Sequence, residues 1–118
     1  ESDVVSLNAP ATPETYHLMG EAEFKKMKKS AILINTARGQ LVDEKALATA
    51  LKTGEIYAAG LDVFEKEPKI SPELLELDNA ILSPHAGTGT YSARRGMAHE
   101  VVKNIINFFE GGQIDKVN

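Results

Sequence analysis

Residues 31–39 read Ala31-Ile32-Leu33-Ile34-Asn35-Thr36-Ala37-Arg38-Gly39. A continuous apolar run of this length, rich in β-branched side chains, predicts a strand buried on both faces, as in a parallel sheet. The run stops at once in polar and small residues and delivers an arginine beside a glycine. In an open α/β sheet, ligands bind just beyond the carboxyl ends of the strands. Two further phrases repeat that design. Ala58-Ala59-Gly60-Leu61 leads into Asp62-Val63-Phe64-Glu65-Lys66-Glu67-Pro68, and Ala80-Ile81-Leu82 leads into Ser83-Pro84-His85-Ala86-Gly87. A guanidinium, a carboxylate and an imidazole are thus expected at three strand ends.

The segments between these phrases alternate with them. Val4-Val5-Ser6-Leu7 is a short β-rich run. Thr12 and Pro13 fit an N-cap and first helical position for a turn through Thr15. Glu21 to Lys29 predicts a helix with acids in its first turn, lysines in its last, and Phe24 and Met27 on one face. Asp43 is placed to cap a helix closed by Gly54, with Leu47, Ala50 and Leu51 as its inward stripe. Ser71-Pro72 starts a short turn anchored by Leu74 and Leu75, and a long helix spans roughly 90–110, ended by Gly111-Gly112. Met97, Val101, Ile105 and Phe108, with the adjoining row Ala98, Val102, Ile106 and Phe109, give that helix an apolar face wide enough to pack against more than a small sheet. Strand and helix in alternation predict an α/β fold, a parallel open sheet of about four strands with flanking helices on its faces.

Composition narrows the function classes. The 118 residues are 42% hydrophobic and 25% charged, ordinary for a globular chain. A net charge of −4, with Lys25, Lys26, Lys28 and Lys29 offset by Glu21 and Glu23, argues against nucleic acid. There is no cysteine, which excludes thiol chemistry and disulfides and fits a reducing cytoplasm. No apolar run approaches the roughly 20 residues of a membrane span, and no signal peptide is visible. No HExxH or other metal-ligand spacing occurs, nor a GxSxG; Gly87-Thr88-Gly89-Thr90 lacks the lysine of a phosphate loop.

The candidate residues differ in how sharply they point to chemistry. Arg38 has the planar fork that holds a carboxylate through two parallel hydrogen bonds, although an isolated arginine is usually a solvated surface group. His85 can give and take a proton near neutral pH; His17 and His99 lack a comparable context. A carboxylate bonded to the histidine would fix its tautomer and favour its protonated form, and both Glu65 and Glu67 are placed to provide one. Asp62 ends an apolar strand, where it serves either a ligand amide or the cap of the next turn. Asn8, Pro10 and Thr15 follow the first strand, where a ligand can lie.

Taken in order, Asn35-Thr36-Ala37-Arg38-Gly39, Leu41-Val42-Asp43-Glu44 with Ala46-Leu47, Gly60-Leu61-Asp62-Val63-Phe64 with Glu67-Pro68, and Pro84-His85 closely resemble the D-isomer-specific 2-hydroxyacid dehydrogenases. Thr12-Pro13-Glu14-Thr15 and Val117-Asn118 fit as well. The resemblance covers nearly the whole chain and implies that residues 1–118 are the second half of that family's Rossmann-like, NAD(P)-binding domain. It implies hydride transfer between NAD or NADP and a small 2-keto or 2-hydroxy acid. Arg38 would hold the substrate carboxylate, His85 would be the general acid, and Glu67, the glutamate before proline, would bond to His85 and keep it protonated. Asp62 would accept from the nicotinamide carboxamide; Asn8, Pro10, Thr15, Thr36, Ala37, Arg38, His85 and Gly87 would line the cofactor cleft. Two departures, Ala86 for a larger apolar residue and Thr88-Gly89 for Ser-Ala, bear on substrate preference and loop stiffness.

The family's GxGxxG turn, ribose-binding acid and substrate lobe would precede Glu1. On that reading the chain alone is inactive, Val4–Leu7 is a sheet edge open to pairing, and the chain forms a homo-oligomer. Two other readings are compatible with the residues: a corepressor-type binding module that keeps the NAD fold, and a flavodoxin-like half-domain that closes its sheet by self-association.

Overall fold

The computed structural model describes residues 2–115, and the chain divides into two compact units, Glu1–Ala86 and Gly87–Asn118. Val117 and Asn118, which contribute to the resemblance, lie outside the described residues. In the first unit the strands are β1 (Val4–Leu7), β2 (Ile32–Asn35), β3 (Ala58–Leu61) and β4 (Ala80–Leu82). All pair in parallel, in the order β1-β2-β3-β4. The connections carry α1 (Glu21–Phe24), α2 (Glu44–Thr53) and α3 (Pro72–Leu75), with single 3₁₀ turns at Pro13–Thr15 and Gly39–Leu41.

This strand order corrects the expectation of a sheet buried on both faces. Every crossover steps the same way along the sheet, and right-handed crossovers that step the same way put their helices on the same face. Accordingly α1 contacts α2 and α2 contacts α3. The strands alternate to match. Leu7, Leu33, Asn35, Ala59 and Leu61 are buried beneath the helices with Phe24, Leu47, Leu51 and Leu74. On the other face of the unit Val4 and Ile81 are exposed, and Ile32, Ile34, Ala58 and Gly60 are half-buried. Within the first unit the apolar run therefore has one fully buried face.

Helix α2 is the best specified element. Asp43 accepts hydrogen bonds from the Lys45 and Ala46 N–H groups at 3.0 and 3.1 Å, and Gly54 ends the helix with a left-handed φ of 69°. Leu47, Ala50 and Leu51 are buried, as the stripe predicts. Asp43→Ala should cost about 1 kcal/mol, the usual worth of an N-cap, and appear as a lower urea midpoint at unchanged slope. Helix α1 is shorter than the expected Glu21–Lys29. The Lys26 and Met27 N–H groups bond back three residues, to Glu23 and Phe24, so the chain tightens into turns after Phe24. Strand β2 begins one residue later than Ala31 and includes Asn35. In α3 only Leu74 anchors; Leu75 is exposed.

The second unit contains α4 (Tyr91–Glu110), capped by the Thr90 hydroxyl on Ala93 N–H and ended by Gly111 at a φ of 73°. None of its described residues is buried, and Met97, Val101, Ile105 and Phe108 stand exposed along the wide apolar face. No described helix is long and apolar enough to cross a membrane.

Candidate active site at the carboxyl edge of the sheet

Because the strands are parallel, their carboxyl ends share one edge, and the quoted phrases meet there. The turn after β2 is shaped by Asn35, which is fully buried. Its side-chain amide donates to the Arg38 carbonyl at 2.9 Å, and its oxygen accepts from Ala37 N–H at 3.1 Å. Thr36 is thereby exposed, Ala37 packs against the core, and Arg38 emerges in extended conformation. The Arg38 guanidinium reaches its own loop, donating to the Ala37 carbonyl at 2.7 Å. Gly39 is buried against the Phe64–Glu65 peptide, so the loop after β2 and the loop after β3 touch backbone to backbone.

The loop after β3 presents Glu67. One carboxylate oxygen, Oε1, accepts from Phe64 N–H at 3.0 Å; the other, Oε2, lies 2.8 Å from His85 Nδ1. Of the two glutamates, Glu67 is therefore the partner of His85. The hydrogen bond from His85, then that from Phe64 N–H, holds the Glu67 carboxyl below its ordinary value of 4.5. An ionised carboxylate only accepts, so Nδ1 carries the proton and Nε2 faces outward chemistry. His85 itself sits at a φ of 52°, in the left-handed region sparsely used by side-chain-bearing residues. Its N–H bonds to the Ser83 carbonyl at 3.0 Å.

Asp62 secures this turn. Its Oδ1 accepts from the Ser83 hydroxyl at 2.5 Å and from Ala86 N–H at 2.8 Å. The turn it holds is the one after β4, not the turn that follows Asp62 itself. Arg38, Glu67 and His85 line one cleft of about 290 Å³, with Gln40, Phe64 and Lys66. Asn8, Pro10 and Thr15 lie beyond β1 on the same edge. The Thr15 hydroxyl donates to the Pro10 carbonyl and accepts from Thr12 N–H, both at 2.8 Å, which fixes that turn. The Asn8 side chain bonds back to Ser6. Gly87 belongs to the second unit. Among the described residues no group of three His, Asp or Glu is arranged to hold a metal.

The lowered Glu67 carboxyl makes a pH prediction. A carboxyl whose value falls on folding adds stability that is complete above its unfolded value and is lost as pH drops through the folded one. The Glu67 carboxyl carbon should titrate in NMR with a midpoint below 4.5, and the His85 ring signals should shift in the same step.

Sequence reasoning set His17 aside and gave no role to Glu44, yet the structure makes both part of the scaffold of this edge. His17 Nε2 lies 3.0 Å from Glu65 Oε1, its ring stacks on Tyr16, and its φ is 51°. Glu44 is a buried carboxylate bonded to loop backbone. The Val42-Asp43-Glu44 phrase was visible as a helix start, and nothing in its spacing showed that a charged first residue would turn inward.

The family described as D-isomer specific 2-hydroxyacid dehydrogenase, NAD binding domain, matches residues 1–87. A glyoxylate reductase of Thermococcus litoralis is 57% identical over 111 residues, covering 94% of this chain and 34% of its own length. The crystal structure of a glyoxylate reductase from Paecilomyes thermophila superposes with a TM-score of 0.92 at 44% identity, over 98% of this chain and 35% of that one. An NADPH-dependent glyoxylate/hydroxypyruvate reductase of Sinorhizobium meliloti, solved with NADP and malonate, gives 0.90 at 37% identity, over 95% and 35%. The chain spans about a third of the length of the curated relatives it matches.

Proposed function

Since the chain belongs to the D-isomer specific 2-hydroxyacid dehydrogenase family through its NAD-binding domain, we propose that it supplies the nicotinamide-side half of an NAD(P)-dependent reductase of small 2-keto acids. The observation that carries this reading is the shared cleft of Arg38, Glu67 and His85, with the 2.8 Å bond between the last two. The similarity to glyoxylate reductases favours a keto acid of about that size.

The roles follow from the chemistry of each group. Arg38 offers the remaining N–H groups of its fork to the substrate carboxylate. His85, its Nδ1 proton committed to Glu67, donates from Nε2 to the keto oxygen as charge develops there. NADH or NADPH, when bound, supplies the hydride to the keto carbon. Asn8, Pro10, Thr15, Thr36, Ala37, Asp62 and Gly87 are assigned to the cofactor side, with Arg38 and His85 facing both cofactor and substrate. Local hydrogen bonds support this assignment: Thr15 fixes the turn after β1, Asn35 the turn after β2, and Asp62 orders the turn bearing His85. No GxGxxG occurs in the sequence, so the pyrophosphate seat that such a turn forms at a helix N-terminus has to come from elsewhere.

On this reading the 118 residues by themselves are inactive, and the β1 edge and the apolar face of α4 make the chain associate with itself. The full-length protein should oxidise NADH or NADPH when given glyoxylate or hydroxypyruvate, followed at the nicotinamide absorbance band. The isolated 118 residues should give no turnover and should elute larger than a monomer in size exclusion. A full-length protein inert toward 2-keto acids overturns the reading. Turnover by the isolated chain overturns its inactivity, and monomeric elution its self-association.

A further inference from the structure

Glu44 and His17 meet the loop after β3 without touching the cleft. The Glu44 carboxylate, on the first residue of α2 and only 8% exposed, accepts from Glu65 N–H at 2.7 Å through Oε1 and from Ser71 N–H at 3.2 Å through Oε2. These two donors bracket the segment that holds Glu67. The contact is reciprocal, because Glu65 Oε1 accepts from Glu44 N–H at 3.2 Å. The same oxygen lies 3.0 Å from His17 Nε2, while His17 Nδ1 lies 3.8 Å from Asp43 Oδ2. A buried carboxylate with two backbone donors is a strong tether, since charge-assisted bonds are shorter and stronger than neutral ones. Losing it would leave two half-buried N–H groups without their acceptor.

We infer that Glu44, supported by His17 through Glu65, is a positioning residue for the Glu67–His85 pair. The clamp fixes residues 65 and 71, and the five residues between them carry Glu67. Within the segment Lys69 N–H bonds to the Lys66 carbonyl at 2.9 Å, closing the turn that carries Glu67, and the bond from Phe64 N–H, one residue outside the clamp, sets the carboxylate's direction toward His85. Glu44 acts at the loop ends and never reaches the cleft. The inference rests on the reading of Glu67 and His85 as an acid pair.

The test is NMR of the 118-residue chain labelled with ¹⁵N, recording the His85 ring nitrogens and amide exchange. Glu67→Ala supplies the reference for a broken pair. In Glu44→Ala the His85 Nδ1 signal should move most of the way to that reference. The Glu65 and Ser71 amides should exchange about tenfold faster or more, the mark of a local opening, while Leu33 and Ala59 keep their protection. Glu44→Gln keeps one acceptor and turns the other into a donor, and should fall between. His17→Asn suits the left-handed backbone but is too short to reach Glu65; it should move His85 the same way by less, and it carries the test if Glu44→Ala does not fold. Fast exchange at Glu65 and Ser71 with an unmoved His85 signal shows a merely structural clamp and overturns the inference. A His85 signal indifferent to Glu67→Ala instead overturns the pair on which it rests.

Discussion

Gly39→Ala is expected to be the most damaging single methyl in the chain. An alanine Cβ at this position would stand 1.9 Å from the Phe64 carbonyl carbon, 2.0 Å from its oxygen and 2.5 Å from the Glu65 nitrogen. All three are main-chain atoms, so no rotamer change relieves the clash; one of the two loops must retreat. Overpacking costs typically reach about 3 kcal/mol and occasionally more, and backbone obstruction belongs at that end. Against a total stability on the order of 5–15 kcal/mol this is a large fraction. The urea midpoint should fall accordingly. Because Arg38 precedes Gly39 and the displaced peptide leads to Glu67, the Arg38 and His85 signals should shift in the surviving folded protein. By contrast Gly96→Ala, where a Cβ meets nothing within 4 Å, should be nearly neutral or slightly stabilising through helix propensity. Equal midpoints for the two variants would show that the loop contact at Gly39 carries no such constraint.

The sequence made the order of elements and the identity of the strand-end residues readable because both depend on local signals. Asp43 and Gly54 bound α2 by capping chemistry that needs no tertiary partner, and their reading agrees with the structure. Glu67 and Glu65 differ in nothing local that predicts a partner. Only the folded loop shows Glu67 turned to His85 and Glu65 turned to His17. The burial of the sheet was misjudged for a related reason. A run such as Ile32-Leu33-Ile34 states that the strand is apolar, whereas the number of covered faces depends on the direction of successive crossovers, which is a property of the whole chain. Glu44 is the same problem in reverse. A glutamate in the first helical turn suits the macrodipole at the surface, and here it is buried because two backbone donors wait for it.

The acid pair makes the second large prediction, for the full-length protein. On the proposed mechanism His85→Asn removes the proton donor and should lower kcat by about 10²–10⁴, the usual worth of general acid–base catalysis. Glu67→Gln keeps the shape of its partner and removes its charge. Its amide can still present an oxygen to His85 Nδ1, so kcat should fall by less. The double variant decides whether the two act as one device. If Glu67 works only through His85, it has nothing left to act on once the imidazole is gone. The double variant should then be no slower than His85→Asn alone, a non-additivity equal to the whole effect of Glu67→Gln. Multiplicative losses would mean that Glu67 acts on substrate or cofactor by a separate route, and the 2.8 Å bond between them would be a contact without a catalytic consequence.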